Sequence, residues 1–528
     1  MGTPTDAATV KYTQSFNSAT GEMIGQSPLH SVEDLQGIVQ KAREAWDPWR
    51  RMSVKDRVRK IKRIRRYVVD HADRLAEIIS RDNGKTRTEA LATEVLPVAL
   101  GISYYCKNTA KFLKDKNEKW GNVALLYKRS KRVRTPFGVV GIISPWNYPF
   151  GIPFPEIIMA LLAGNTVIFK AASETQQVGL AIKECIEAAE LPEGVFNYVN
   201  MSGKVAGDAF LETGVDKLFF TGSVPVGKYL MARAAETLTP VTLELGGNDA
   251  MIVCEDADVD RAAGGAVWAG FQNAGQSCGG VERVYVHEKV YDQFIAALKK
   301  RVENLKVGYD RDYTIEMGAM TARRQIDVVN DHIQDALSRG ARILAQSSVP
   351  DEDGLQNFIP AVVLTSVDHS MKVMREETFG PVVAVMKIRT DEEALKLAND
   401  SNLGLTGSVW SGNSRRALKI AREIRAGAVT INDHLMSHGL AETSWGGFKE
   451  SGIGRSHGRL GFDEMTHSQY IVNDIMPFLK KNLWWPPYNL NTYQGIKGVM
   501  DMQYAATWIL RLKGLFNLVK IAGRMFRK

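Results

Sequence analysis

Apolar and polar positions along the chain follow two different periods. From residue 31 to 113 the apolar residues recur at helical spacing, and "SVEDLQGIVQKAREAW" opens on a serine suited to cap a helix. Beyond that the pattern shortens. Runs rich in β-branched and aromatic residues stand at VVGIIS (139–144), TVIFK (166–170), KLFFTG (217–222) and DAMIVCE (249–255). Helical stretches such as QVGLAIKECIEAAEL (177–191) separate several of them. A second strand–helix series follows with RVYVHE (283–288), AVVLTSV (361–367), VVAVMKI (382–388) and GAVTIND (427–433). Strands alternating with helices predict an α/β fold, its mostly parallel sheet covered on both faces. Ligands of such sheets bind at the carboxyl ends of strands, so the loops there are the first place to look for chemistry. There is no internal repeat and no low-complexity segment.

At 528 residues the chain exceeds one core and predicts roughly three or four domain-sized units. Cys106, Cys185, Cys254 and Cys278 are scattered, without a C-x-x-C pair or adjoining histidines, which predicts no disulfide framework, no metal and a reducing, cytoplasmic setting. The first residues lack the apolar segment of a secretory signal, and Asp6 stands where a myristoylation signal needs Ser or Thr. The most apolar long stretch, Val139 to Gly164, contains four prolines and Glu156, which argues against a membrane span. From Ile475 onward nine Lys or Arg face a single acid, Asp501, and these account for the whole net charge of +8. The body is neutral, so no nucleic-acid partner is expected.

Five segments carry candidate chemistry. Cys278 lies in NAGQSCGG, small and flexible surroundings unlike those of a buried structural cysteine, which offer either room for a substrate or a turn. FTGSVPVGKY (220–229) approaches a phosphate-binding loop, but Tyr229 replaces the Ser or Thr that would hold Mg²⁺, so a nucleotide hydrolase is disfavoured. Gly222 and Gly227 still allow backbone N–H groups to meet a pyrophosphate without a metal. In VTLELGGNDA (241–250) Glu244 follows a β-branched run, as a general base if burial raises its pKa or as a merely solvated carboxylate. In GIISPWNYPFGIPFPE (141–156) Asn147 sits in a rigid aromatic–proline loop, as an oxyanion donor or as a self-satisfied turn residue. MREETFGPVV (374–383) has no role that general physics assigns.

Taken in order, PWNYP, FTGSVPVG, LELGG, GQSC, EETFGP and WGGFKESGIGR resemble the aldehyde dehydrogenase superfamily over roughly Thr13 to Asp474. The resemblance implies a Rossmann-like cofactor-binding domain (1–115 and 138–246), an α/β catalytic domain (247–447) and a small β bridging or oligomerisation element (116–137 and 448–474). An amphipathic C-terminal tail (475–528) completes that reading. It further implies that the Cys278 thiolate attacks an aldehyde, that Asn147 holds the oxyanion, and that Glu244 activates water against the resulting thioester. The glycines around Cys278 then make room for cofactor and substrate at one sulfur. NAD or NADP is the implied cofactor, with Lys170 at the adenosine ribose, Gly222, Ser223 and Gly227 near the pyrophosphate, and Trp146 close by. Leu245, Glu377 and Phe379 fall to the nicotinamide side. Relatives that prefer NAD carry Glu three residues after the lysine; here Ser173 holds that place and Glu174 is shifted by one. A serine repels a 2′-phosphate less than a carboxylate does, so NADP is expected to be accepted, and preferred unless Glu174 swings in.

Counting from Asn147 places Ile152 and Pro155 on a substrate tunnel, with Phe154, Phe271 and Ser277 nearby. No arginine stands in these segments, which predicts an apolar aldehyde, long-chain or aromatic. His434 and His438 read as hydrogen-bonding residues rather than metal ligands. In the tail, Trp484, Trp485, Tyr488 and Tyr493 suit a membrane interface. From Leu512 a helical wheel places Lys513, Asn517, Lys520, Arg524, Arg527 and Lys528 on one face and Leu512, Leu515, Phe516, Leu518, Val519, Met525 and Phe526 on the other. This predicts an interfacial helix on an anionic membrane surface, its alternative being a helix packed on a subunit. Family likeness implies a homodimer or homotetramer. Two other functions stay open: a CoA-acylating reductase, which does not need Glu244, and a non-catalytic membrane-surface protein on the same fold.

Overall fold

A computed structural model of the chain describes residues 11–122 and 125–526. Asp6, Arg527 and Lys528 lie outside the described residues. The chain forms two compact units, residues 1–112 with 136–467 and residues 113–135 with 468–528.

The larger unit contains two sheets. In the first, Val139–Ile143, Thr166–Lys170 and Phe196–Val199 run parallel to one side of the starting strand, and Lys217–Thr221 and Val241–Glu244 to the other. Chain direction across the sheet therefore reverses between Val139–Ile143 and Lys217–Thr221, the switch point where a doubly wound sheet opens a crevice. Gly452–Ile453, expected with the bridging element, adds an antiparallel strand beside Val241–Glu244. The second sheet orders Arg342–Gln346, Val362–Thr365, Val382–Ile388, Val281–His287, Asp249–Val253, Thr406–Trp410 and Ala428–Ile431, with only the first pair antiparallel. Central strands such as Val139–Ile143 and Val281–His287 are buried at every position, as parallel strands covered on both faces must be. Helix Pro153–Ala163 is likewise buried throughout. The first long helix, Val32–Arg51, starts at the expected cap: Ser31 accepts from the Asp34 N–H, and the Asp34 carboxylate accepts from the Ser31 N–H.

The second sheet departs from the sequence reading in one respect. Asn147, Gly222 and Glu244 do follow or end strands, at the carboxyl edge of the first sheet. Cys278, Glu377 and Phe379 instead precede Val281–His287 and Val382–Ile388, at the amino edge of the second.

The smaller unit holds a three-stranded sheet of Thr466–Asp474, Lys128–Pro136 and Lys116–Asn117, with Thr466–Asp474 at its edge. Two helices follow, Leu490–Tyr504 and Trp508–Ala522, packed on each other, then a short 3₁₀ turn at Gly523–Phe526. The apolar face of the predicted wheel is left uncovered by the neighbouring helix. Asn517, assigned to the cationic face, lies at the helix–helix seam beside Gly498, while Leu512, Leu515, Phe516 and Val519 are exposed. The seam is built from glycines, so the larger apolar side chains are left pointing outward.

Candidate active site

The Asn147 loop is set by a buried ion pair. Lys85 Nζ lies 2.6 Å from Glu94 Oε1, with both side chains fully buried. Glu94 Oε2 accepts from the Phe150 and Gly151 N–H groups at 2.7 and 2.8 Å. Lys85 donates to the Asn147 carbonyl at 3.0 Å, as do the side-chain amides of Asn83 at 3.3 Å and Asn273 at 2.8 Å. With the backbone so fixed, the Asn147 side-chain amide donates one N–H to the Gln276 carbonyl at 3.1 Å, and its second N–H remains for a ligand. Glu94 belongs to a π-helical turn, Leu91–Val95, a distortion common at functional sites.

The Cys278 loop follows helix Val259–Phe271 through three successive left-handed residues, Asn273, Ala274 and Gly275. The glycines here lie close to neighbouring protein, while Gly279 also lines the cavity described below. A Cβ on Gly275 would collide with the Gly380 carbonyl, one on Gly279 would stand 2.9 Å from the Trp445 ring, and one on Gly280 3.0 Å from the Ala269 carbonyl. His434 braces the same loop, its Nε2 2.9 Å from the Gly279 carbonyl and its Nδ1 2.8 Å from the Ser408 hydroxyl. Burial pushes His434 and His438 down to about 4, so both rings are neutral. Among the described residues no cluster of three or more His, Cys, Asp or Glu could hold a metal.

Cys278 is half-buried and opens onto a cavity of about 650 Å³, including its mouth. Burial, then the carboxylates of Glu377, Asp249 and Glu244, hold its thiol far above the usual range. Glu244 is 5% exposed, and neither carboxylate oxygen has a hydrogen-bond partner. Burial and then the charge of Glu156 raise its pKa well above the ordinary value. Glu156 is itself pushed up to about 8 by burial. A desolvated carboxyl of this kind can take a proton near neutrality, as a general base must.

Of the residues expected near a substrate, Ile152 and Ser277 line the cavity, but Phe154, Pro155 and Phe271 do not. Phe154 and Phe271 are 0% and 1% exposed, and Phe154 packs on the Phe150 ring. Helical spacing turns Phe154 and Pro155 inward once Pro153 starts a fully buried helix. The walls come instead from three distant segments: Ala92 to Pro97, Trp268 to Gln272, and Leu435 to Trp445. No Lys or Arg is among the lining residues.

Most residues assigned to a dinucleotide lie along the first sheet, with Glu377 and Phe379 coming from the amino edge of the second. Lys170 ends its strand 4% exposed, without a hydrogen bond, and burial pushes its ammonium down to about 8 against the opposing charge of Glu174. An ideal Cβ on Gly203, the first residue of a helix, would lie 3.9 Å from its Nζ. Ser173 is exposed, and Glu174 is ion-paired with Arg324. Ser223 is exposed at the start of helix Val224–Thr237, and Gly227 packs against Leu245. Gly222 donates its N–H to the Glu244 carbonyl at 3.0 Å. Trp146 and Phe379 meet edge to face, their ring centroids 5.4 Å apart. Glu377 accepts from the Gly247 N–H at 2.9 Å. A buried unpaired cation, an uncapped helix start and two facing aromatics fit a dinucleotide. Tyr229 instead donates to Asp208 at 2.7 Å, and Lys228 pairs with Glu450, so neither serves a phosphate loop.

The aldehyde dehydrogenase family profile matches residues 5–471. A Methylomonas protein named 4,4'-diapolycopene aldehyde oxidase is 38% identical over 493 residues, 93% of this chain and 91% of that protein. A Mycolicibacterium smegmatis protein, named as a candidate succinate-semialdehyde dehydrogenase [NADP(+)], is 36% identical over 93% of this chain and 92% of its own length. The crystal structure of an aldehyde dehydrogenase from Brucella melitensis superposes with a TM-score of 0.83 at 32% identity, covering 89% of this chain and 95% of that one. The NAD+ complex of a Bacillus cereus aldehyde dehydrogenase gives 0.83 at 33% identity, covering 88% and 94%. The chain belongs to the aldehyde dehydrogenase family and is an NAD(P)-dependent oxidoreductase.

Proposed function

We propose that the enzyme oxidises an apolar aldehyde, long-chain or aromatic, to the carboxylic acid. The observation that carries this reading is the cavity at Cys278, walled by Ile152, Trp268, Leu435, Met436 and Trp445 and without a cation to meet a substrate carboxylate. In the reaction, Cys278 gives up its proton and its sulfur bonds to the aldehyde carbon. The oxygen takes the negative charge against the free N–H of Asn147. NAD(P)+, when bound, would supply the hydride acceptor needed between this thiohemiacetal and a thioester. Glu244 then takes a proton from water, whose oxygen attacks the thioester carbon and releases acid and thiol. Lys170, Ser223, Glu377, Trp146 and Phe379 would hold the cofactor.

NADP is accepted on this reading, because Glu174 is engaged by Arg324 and leaves Ser173 exposed. Lys170 adds a cation for a 2′-phosphate. The protein assembles as a homodimer or homotetramer through its edge strand Thr466–Asp474, where Tyr470, Ile471 and Val472 are exposed. Residues 484–526 hold it to an anionic membrane surface.

Turnover of straight-chain aldehydes of increasing length, beside aromatic aldehydes and succinate semialdehyde, tests the substrate class. Efficiency rising with apolar length supports it; a best substrate bearing a carboxylate overturns it. Acid formed without CoA separates the reaction from that of an acylating reductase, and complete inactivity would favour a binding protein. The ratio of kcat/KM for NADP and NAD tests the cofactor, and an NAD preference of about a hundred-fold, nearly 3 kcal/mol, defeats that part.

A further inference from the structure

The two C-terminal helices are packed inside out for a hairpin in water. Their buried residues are Thr492, Gly495 and Gly498 on one helix and Gly514 and Ile521 on the other. Gly498 and Gly514 are so close that a Cβ on either would collide with the carbonyl of the other or stand 2.7 Å from it, and Gly495 seats Ile521. A soluble hairpin hides its leucines between the helices and turns small or charged residues outward. Here Leu490, Tyr493, Met500, Leu512, Leu515, Phe516 and Val519 face out, from 43% to 69% exposed. Small residues at the contact and large apolar ones outside is the arrangement of helices that meet in lipid, where close backbone packing replaces the hydrophobic drive between helices.

Charge is graded along the same hairpin. The turn and its flanks, Met502 to Leu510, carry no charged residue, and Tyr504, Trp508 and Ile509 there are 75%, 69% and 62% exposed. Arg511 donates to the Ala505 carbonyl at 2.8 Å, closing the turn. Asp501, the only acid, is neutralised by Lys497 at 2.7 Å. At the open end stand Lys480, Lys481, Lys520 and Arg524, with Trp484, Trp485 and Tyr488 exposed among them. Each helix has 15 residues, about 22 Å, too short for a hydrocarbon core of about 30 Å. No helix among the described residues is long and apolar enough to cross a membrane.

We propose that Leu490–Ala522 is a one-leaflet membrane wedge, which enters a bilayer turn first and returns on the same side. Tyr504 to Leu510 reach the acyl chains, Arg511 and Lys513 extend back to the phosphates, and the open end rests among anionic headgroups and interfacial aromatics. The inference rests on the membrane partner proposed above and adds depth and direction to it. It also separates the tail from a flat cationic helix, which salt would release.

The test uses the full chain with phosphatidylcholine vesicles, with and without phosphatidylglycerol, floated at low salt and again in about 1 M salt, where screening acts within about 3 Å. The wedge predicts anionic-lipid-assisted binding that persists in high salt. Ile509→Glu should lower the salt-resistant fraction about ten-fold or more, while Leu490→Glu at the open end should leave it nearly unchanged. Both positions are exposed, so neither change disturbs the seam. Binding to neither vesicle overturns the membrane reading itself. Binding that high salt reverses, or that both variants weaken equally, overturns only the wedge. If Ile509→Glu instead changes the mass measured by light scattering without vesicles, a second copy covers the hairpin and the proposal falls.

Discussion

At the residue scale the site separates into groups that react and groups that set their charge. Asn147→Ala should cost about 10² to 10³ in kcat, the usual loss for one oxyanion donor, with a smaller change in KM. Glu244→Gln should still acylate, giving a burst of about one reduced cofactor per chain before turnover stalls; an unchanged steady state would remove it as the base. The raised values of Cys278 and Glu244 predict activity that climbs with pH, since on the proposed mechanism both must lose a proton to act. The charge of Glu156 is, after burial, a cause of the raised Glu244 pKa. Glu156→Gln removes one negative charge, so the Glu244 pKa falls and the acid limb of kcat/KM should move to lower pH. A limb that stays in place clears Glu156 of that role. Arg324→Gln should free Glu174 and shift the NADP to NAD ratio towards NAD, and cofactor affinity by fluorescence titration should follow it. Cys278, Glu244 and Asn147 stand out in the sequence only as candidates, and the roles proposed for them follow from the resemblance of the ordered motifs to the family. The orphaned oxygens of Glu244 and the Arg324 clasp on Glu174 are not legible there, because burial and pairing join residues far apart in the chain.

Single elements explain where sequence reading succeeds and where it stops. Strands such as Thr166–Lys170 and Lys217–Thr221 stand out as short β-branched and aromatic runs because both faces are covered. The cavity walls are harder to read, since a π-helical turn, the end of one helix and a late loop contribute a few residues each. Phe154 shows the same limit: counting along the chain reaches it, and helical rotation turns it into the core. The seam between the tail helices is not legible from a helical wheel, which separates apolar from polar residues but does not show that glycines make the contact. Between the first elements, the Lys85–Glu94 pair couples stability to function. Lys85→Met leaves the Glu94 charge buried without its partner and should cost about 3–5 kcal/mol in urea unfolding. It should also lower kcat more than it raises KM, through the loosened Asn147 loop. Lys85→Met combined with Glu94→Gln should recover part of the stability.

For the whole molecule, two sheets meeting carboxyl edge to amino edge bring Asn147 and Glu244 from one and Cys278 and Glu377 from the other to a single site. The exposed edge strand of the smaller unit predicts assembly, and Val472→Lys should shift the mass seen by light scattering towards the monomer without removing turnover. The placement of the thiols allows the enzyme to be counted. Cys106, Cys185 and Cys254 are buried, and Cys278 opens onto a cavity. A slow alkylating reagent should therefore be taken up to one equivalent per folded chain, with activity lost in proportion. That uptake is an inventory of working copies in any preparation. A shortfall marks molecules whose sulfur is already oxidised, and uptake beyond one marks molecules that have come unfolded.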